Sequence, residues 1–260
     1  MAETDYIVSP MIGEPHTHTV VFFHGEGHQS GFEFARDFFK NKTQGQVDGR
    51  PKTLREIFPT IRWVFPSAPM QLSERTGDMT SRWFDTWSTL DPNKNPETQV
   101  HGIRRTIRVT QLILGREQQL VPHENIFLGG LGHGFAASYM AYFLGKRFAG
   151  LIGLGTWVPG AALPMLGWMM DEIQNIVEQH NNDTPMFFGH SRNNWLVPVE
   201  QGRSMYEIFT DQTKARVEYH EYDDGGAWIA TNEIDDLAEF LQRAAFDEWS
   251  LIASFQQLGV

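Results

Sequence analysis

A glycine turn lies near the middle of the sequence, between an apolar strand pattern and an apolar helix pattern. Its five residues read Gly130-Leu131-Gly132-His133-Gly134. In the motif G-x-S-x-G, this strand–turn–helix setting presents a serine nucleophile. Here the position of the serine is Gly132, which has no side chain. The turn therefore cannot attack a carbonyl group through a hydroxyl group.

Three side chains near glycine turns could exchange a proton. His133 follows Gly132 directly, and the first apolar strand pattern ends in His24-Gly25-Glu26-Gly27-His28. Glu26, His28 and His133 are therefore the candidates for acid/base catalysis. Alternative interpretations are that His133 is a surface or capping residue at a helix start, that Glu26 is an exposed carboxylate, and that His24 bonds to the backbone of its own turn.

Strand and helix patterns alternate along the chain and predict an α/β fold. Short β-branched and aromatic runs such as "HTVVFFHG" and "IRWVFPSAP" are typical of buried strands. Segments such as "ETQVHGIRRTIRVTQLILGREQQL" and "MLGWMMDEIQNIVEQHN" have the apolar spacing of helices. This alternation predicts a mostly parallel sheet with helices on both faces. Ligands bind beyond the carboxyl ends of the strands in such sheets, which is where the glycine turns fall.

Length and composition indicate one domain spanning residues 1–260. The 260 residues carry a net charge of −11, which argues against a nucleic-acid partner. No apolar run is long enough for an integral membrane segment. The absence of cysteine excludes disulfides and favours a reducing compartment, so we expect a cytoplasmic protein. His16, His18, His24 and His28 lie at opposite ends of the first strand pattern, so we expect no metal and no other cofactor.

Several motifs in order resemble one family. The stretches "FFHGEGH", "FPSAP", "RWFDTW", "LGGLGHG", "TWVP", "FFGHSRNNWLVP" and "YDDGGAW" are similar to the acyl-protein thioesterase and carboxylesterase/phospholipase group of α/β-hydrolases. The resemblance runs from about Thr19 to about Leu241 and implies an α/β-hydrolase fold. Residues 242–260 extend past the usual end of the family. They are expected to form a C-terminal amphipathic extension, whose "FDEWSLIASF" suggests a homodimer.

The resemblance implies the positions of a catalytic triad, and none of them carries the expected side chain. The serine position is Gly132, the aspartate position is Asn194, and the histidine position is Ala227 or Trp228. In the family, backbone N–H groups of the first glycine turn stabilise an oxyanion. Glu26 would place a carboxylate there, and two like charges about 4 Å apart repel by about 4 kcal/mol at an effective dielectric of 20. Ordinary triad hydrolysis is therefore not expected.

Tryptophans are expected to line the cleft in which the family carries its catalytic triad. The predicted substrate-binding residues are Trp83, Trp87, Gly132, Trp157, Asn194, Trp195, Ala227 and Trp228. Aromatic walls hold an apolar ligand through buried area and stacking, while a few polar groups orient it. The expected partner is an apolar, aromatic or polyunsaturated small molecule.

Three functions follow from these expectations. The first is a non-hydrolytic enzyme, a cyclase, isomerase or lyase that includes pericyclic chemistry, acting in a biosynthetic pathway. The second is a pseudoenzyme that binds an acyl or lipid ligand, or a protein partner, without turnover. The third is a residual carboxylesterase or acyl thioesterase that activates water through His133 and Glu26. The main prediction is the first, since preorganised contact can accelerate such reactions without a nucleophile.

Overall fold

The computed structural model describes residues 5–44, 50–88, 90–144, 146–166, 183–212 and 216–246. Within these ranges the strands are β1 (Tyr6–Val8), β2 (His18–Phe23), β3 (Ile61–Phe65), β4 (Met70–Leu72), β5 (Met79–Ser81), β6 (Ile126–Leu131), β7 (Gly150–Leu154), β8 (Met186–Ser191) and β9 (Val217–Tyr222). The α-helices are α1 (Gly31–Phe38), α2 (Leu54–Ile57), α3 (Glu97–Glu117), α4 (His133–Ser138), α5 (Val199–Gln212) and α6 (Glu233–Phe246). Short 3-10 helices cover His123–Asn125, Tyr139–Leu144 and Gly160–Leu166.

The described strands form a mostly parallel sheet, as the alternating pattern predicts. Their order is β1-β3-β2-β6-β7-β8-β9. The edge strand β1 pairs antiparallel with β3, and the other neighbours in this sheet run parallel. The strands β4 and β5 form a separate antiparallel hairpin. Neither β1 nor this hairpin is predicted from the sequence, because segments of three residues are too short to show a period.

Helices cover both faces of this sheet, because its strands are apolar on both sides. Alternate residues of β2 face opposite cores: Val21 and Phe23 join one apolar cluster, and Val20 and Phe22 join the other. The first cluster includes buried residues of α3, α4 and α5, and the second includes buried residues of α1, α2 and α6. A strand that is buried on both faces has no polar alternation, which explains its continuous apolar sequence.

The register of the sheet places the first glycine turn beside the central one. Phe23, the last residue of β2, pairs with Gly130 of β6. The side chain of Leu131 lies 3.5 Å from the point where a Cβ of Gly25 would stand. The turn after β2 and the turn after β6 therefore border each other at the carboxyl ends of the strands.

Two predicted segments lie wholly or partly outside the described residues. Most of the helix expected at 165–181 is outside, although the 3-10 helix Gly160–Leu166 overlaps its start. The expected C-terminal extension begins at 242, which falls inside α6, and its residues 247–260 are outside the described ranges.

Candidate active site

The turn between β6 and α4 has the backbone shape that the glycine motif predicts. Gly132 has φ 49° and ψ −115°, a conformation that glycine adopts with little strain. Its N–H donates to Leu154 O at 2.8 Å, and its carbonyl accepts from Thr156 Oγ1 at 2.7 Å. A Cβ at Gly132 would have one neighbour within 4 Å, Gly155 O at 3.6 Å. The backbone frame of a nucleophile turn is thus present, with open space at the Cβ position, although a residue other than glycine is strained at this φ.

A second glycine lets the helix start close to the sheet. A Cβ on Gly134 would stand 2.4 Å from Phe23 O, a distance that real Cβ contacts do not reach. Because position 134 has no side chain, α4 begins against the end of β2. His133 is the first residue of α4. The N–H groups of a first helical turn have no partner within the helix, which makes them donors for an oxygen held above the turn.

The loop after β8 brings Asn194 close to this turn through Gly155. Asn194 Nδ2 lies 3.0 Å from the point where a Cβ of Gly155 would stand. Its Oδ1 accepts from the N–H groups of Leu196 and Val197 at 3.0 and 2.9 Å. The amide therefore caps its own loop, and it offers no group that could hold and charge-balance a base.

The loop after β9 contacts the loop after β8. Gly226 N–H donates to Asn193 Oδ1 at 2.9 Å, and the ring of Trp195 lies directly against Gly226. Ala227 follows and is half-buried. The structure thus gathers the loops that carry Gly132, Asn194 and Ala227 at one end of the sheet. None of these three side chains can transfer a proton.

His133 has a packing role in the structure. Its ring is buried and stacked on Phe84 with 3.9 Å between ring centroids. Its Nδ1 accepts from Trp83 N–H at 3.3 Å, and its Nε2–H donates to Thr86 Oγ1 at 3.0 Å. Burial, together with the positive charge of Arg82, lowers the pKa of His133 to about 3. The expected acid/base role and the surface or capping role are both corrected, because the ring is enclosed, neutral and fully bonded.

Glu26 is not the unpaired carboxylate that the sequence suggests. Its Oε1 forms an ion pair with Arg82 Nη2 at 3.0 Å, and Arg82 Nη1 pairs with Asp85 Oδ1 at 2.7 Å. Burial raises the pKa of Glu26, and the charge of Arg82 opposes that rise. The expected repulsion of an oxyanion is therefore corrected, because the guanidinium group offsets the charge of Glu26.

His28 lies between the turn after β2 and the loop after β9. Its ring centroid is 5.3 Å from that of Trp228 and 5.0 Å from that of Phe34. Its Nδ1 is buried and has no hydrogen-bond partner among the described residues. Burial lowers the pKa of His28, which favours the neutral form of the ring. By contrast, His24 uses both ring nitrogens, bonding to Gly25 O and to Ala68 N–H, which agrees with its expected structural role.

The tryptophans do not form the expected ring around an open cleft. Trp83 and Trp157 are each 1% exposed and belong to the core. Trp83 donates its Nε1–H to His24 O at 2.8 Å, which fixes the turn after β2. Trp87 and Trp228 are half-buried, and Trp195 is 70% exposed. The expectation for Trp83 and Trp157 is corrected, because aromatic residues this deep in an α/β sandwich complete its packing.

Arg82 and Asp85 are not predicted as site residues from the sequence, although both lie within the motif "RWFDTW". Arginine and aspartate three residues apart are common on surfaces, so the pattern alone gives no signal of burial. Among the described residues, no group of three metal-ligating side chains comes together. No described helix is long and apolar enough to cross a membrane.

Comparison with known proteins identifies relatives along almost the whole chain. A family model described as phospholipase/carboxylesterase matches residues 3–245. Acyl-protein thioesterase 1 of Cryptococcus neoformans is 28% identical over 248 residues, covering 89% of this chain and 94% of that protein. The protein of the same name from Kluyveromyces lactis is 24% identical over 89% of this chain and 93% of its own length. The structure of Zea mays acyl-protein thioesterase 2 superposes with a TM-score of 0.68 at 17% identity, covering 93% of this chain and 99% of that one.

These matches confirm the resemblance and the α/β-hydrolase fold, and they overturn the main functional expectation. The family and the relatives are named for hydrolysis of esters and thioesters, so the non-hydrolytic cyclase, isomerase or lyase is wrong. The absence of a catalytic triad stays a prediction from the residues at positions 132, 194 and 227 or 228.

Proposed function

Because the chain belongs to the phospholipase/carboxylesterase family, we propose that it hydrolyses acyl esters or acyl thioesters with water as the nucleophile. The observation that carries this proposal is the turn at Gly132, where the backbone keeps the shape that presents a nucleophile while its Cβ position is open. A water molecule held above Gly132 would occupy the place of the serine hydroxyl. Cytoplasmic action remains the prediction from the cysteine-free sequence.

The backbone would supply the charge stabilisation in this reaction. In the family that this sequence resembles, the oxyanion is bound by N–H groups of the first glycine turn and of the residue after the nucleophile position. The corresponding residues are Glu26 and His133, and the pairing of Phe23 with Gly130 brings their two turns side by side. Removal of a whole triad leaves about 10³–10⁴-fold acceleration over water from such binding and oxyanion contacts. We therefore expect slow turnover.

His28 is the residue that we assign as the base. Of the histidines in the turns around the site, His24 and His133 have both ring nitrogens bonded, whereas His28 has a nitrogen without a described partner. Its ring contacts Trp228, and the resemblance expects a histidine at Ala227 or Trp228. A base that takes a proton from water contributes about 10²–10⁴-fold.

A second function is favoured by a specific observation. Asn194 caps its own loop, and neither Gly132 nor Ala227 can exchange a proton. A chain with these side chains could bind an acyl ligand in the family cleft without turnover. This candidate differs from the first in a single measurable property, the hydrolysis of the ligand it binds.

The test compares hydrolysis and binding on the same purified chain. A decanoyl thioester and the 4-nitrophenyl ester of the same acid are assayed against heat-denatured chain, and binding of decanoate is measured by calorimetry. We expect saturable hydrolysis with no burst, since no covalent acyl intermediate forms. His28→Gln should lower kcat at least tenfold. His123→Gln is the matched control, because His123 lies before β6 at the opposite end of the sheet.

Each result decides between the candidates. A burst, or covalent labelling by a fluorophosphonate, would reveal a side-chain nucleophile and contradict the water mechanism. Saturable binding without hydrolysis would favour the acyl-binding function. Equal rates for His28→Gln and the unmodified chain would remove His28 as the base.

A further inference from the structure

A buried charged cluster lies beneath the turn after β2, and its members come from separate segments. Arg82, which follows β5, pairs with Glu26 of that turn at 3.0 Å and with Asp85 at 2.7 Å. The side chains of Arg82 and Asp85 are 7% and 9% exposed, whereas that of Glu26 is 32% exposed. Asp85 Oδ2 also accepts from Glu74 N–H at 2.8 Å, which ties the cluster to the β4–β5 hairpin.

Hydrogen bonds hold the two halves of this turn unequally. The first half is fixed, because His24 O accepts from Trp83 Nε1–H at 2.8 Å and His24 Nε2 accepts from Ala68 N–H at 3.0 Å. The second half has one long bond, from Gly27 N–H to Ser81 O at 3.5 Å. Gly27 is exposed and has no atom within 4 Å of its Cβ position. The ion pair of Glu26 is therefore the strongest described link between this half of the turn and residues 81–85.

This link bears on the proposed reaction, on which the inference rests. The N–H of residue 26 is one of the two donors assigned to the oxyanion, so its direction depends on where the turn is held. We propose that Arg82 is a positioning residue that acts through Glu26. Arg82 fixes the amide of residue 26 toward the developing oxyanion and draws the Glu26 carboxylate away from it. The substrate itself does not contact Arg82.

The test uses the ester assay with variants of both partners. Arg82→Gln is expected to lower kcat at least tenfold while KM changes less than threefold, since the donor matters most in the transition state. The double variant Glu26→Gln/Arg82→Gln should recover at least threefold of that loss, because two neutral amides can bond where an unpaired carboxylate cannot. Arg147→Gln is the matched control. It breaks the 2.9 Å Arg147–Asp183 pair at the amino end of the sheet and should leave both constants unchanged.

A pH profile separates positioning from simple loss of structure. The charged groups that act on Glu26 are Arg82, Asp85 and Arg75. Removing the positive charge of Arg82 raises the pKa of Glu26, so in Arg82→Gln the unpaired carboxylate is neutralised at a higher pH than in the unmodified chain. The loss of kcat in Arg82→Gln relative to the unmodified chain should therefore shrink as the pH falls. The loss in the double variant Glu26→Gln/Arg82→Gln should not change with pH in this way, and Arg147→Gln should keep the profile of the unmodified chain. If Arg82→Gln does not fold, Arg82→Lys takes its place. Lysine keeps the positive charge but can pair with only one of the two carboxylates, so kcat should fall by less than tenfold relative to the unmodified chain.

Amide hydrogen exchange tests the inference independently of turnover. Exchange at residues 26–28 should rise at least tenfold in Arg82→Gln and stay unchanged in α3. If the unmodified chain does not hydrolyse the ester, the proposed function fails, and this exchange still decides whether Arg82 holds the turn. Unchanged exchange at these amides, or increased exchange with an unchanged kcat, overturns the inference.

Discussion

The two halves of the candidate site differ in how much of a hydrolase they retain. The turn between β6 and α4 keeps the backbone of a nucleophile turn, with Gly132 at φ 49° and ψ −115°. The loops after β8 and β9 carry Asn194 and Ala227, at positions where the resemblance predicts an acid and a histidine, and neither side chain can move a proton. The backbone of the nucleophile turn is thus observed in the structure, whereas the loss of the triad side chains stays a prediction from the sequence. The backbone shape of the turn depends on glycines that permit close packing, whereas the identity of the catalytic side chains depends on the reaction.

The first prediction introduces the triad side chains at the three positions where the resemblance expects them. The variant Gly132→Ser/Asn194→Asp/Ala227→His should raise ester hydrolysis at least 100-fold, because a triad acts as a unit worth about 10⁶-fold. Gly132→Ser alone should change the rate less than tenfold, since the positions where the resemblance expects the acid and the histidine carry Asn194 and Ala227. The measurement is kcat on the 4-nitrophenyl ester, with Gly132→Ala/Asn194→Asp/Ala227→His as the control that lacks the hydroxyl. A nitrophenol burst from Gly132→Ser alone would show that a serine at this position is activated without Asn194→Asp and Ala227→His, and would contradict this prediction.

The frame itself should be sensitive to its second glycine. Gly134→Ala would place a Cβ 2.4 Å from Phe23 O, so the start of α4 must shift away from β2. Overpacking of this kind costs about 1–3 kcal/mol, measured as the free energy of unfolding in urea. Gly115→Ala is the control. Gly115 lies in α3 with nothing within 4 Å of its Cβ position, and alanine there should stabilise by up to about 1 kcal/mol. Equal effects at both positions would contradict the close approach of α4 to β2.

A buried carboxyl group beside the loop after β9 predicts a pH-dependent stability. Glu233 is 2% exposed, its Oε2 accepts from Ala230 N–H at 2.9 Å, and its Oε1 has no hydrogen-bond partner among the described residues. Burial raises the pKa of Glu233 to about 8, and the negative charges of Asp224 and Asp236 add to the rise. The folded chain therefore binds this proton more tightly than the unfolded chain, whose carboxyl has the ordinary value of 4.5.

The sign of the effect follows from that difference. The contribution of Glu233 is complete below about pH 4.5 and is lost as the pH rises through about 8. The free energy of unfolding should fall between these values by up to about 1.4 kcal/mol per pH unit from this group. Glu233→Gln should flatten the curve, measured by urea unfolding at several pH values. Glu239→Gln, at a 73% exposed position of the same helix, should leave the slope unchanged.

The strands and turns of the fold could be predicted from the sequence better than the roles of the site side chains, for physical reasons. Strands buried on both faces need continuous apolar runs, so β2 and β6 are visible in the sequence without any partner. The role of His133 depends on Phe84 and Thr86, and that of Glu26 depends on Arg82. These partners are distant in sequence, and only the folded chain brings them together. The order of the motifs correctly predicts that the loops after β6, β8 and β9 meet at one end of the sheet, because that order reflects the topology of the fold. It does not indicate which side chains are buried.

Trp195 and Trp157 are both predicted from the sequence to bind substrate, but they differ in exposure, so their substitution should affect different properties. Trp195 is 70% exposed against Gly226, whereas Trp157 is buried in the core. Trp195→Ala should change the free energy of unfolding by less than about 0.5 kcal/mol, as is usual for exposed positions, whereas Trp157→Ala should cost about 3–5 kcal/mol. If Trp195 contacts the substrate, as the sequence predicts, the loss of one aromatic contact of about 1 kcal/mol raises KM about fivefold. The decisive measurement is KM for the ester beside Tm for each variant. An unchanged KM in Trp195→Ala would leave Trp195 as a cover over Gly226 and remove it from the substrate site.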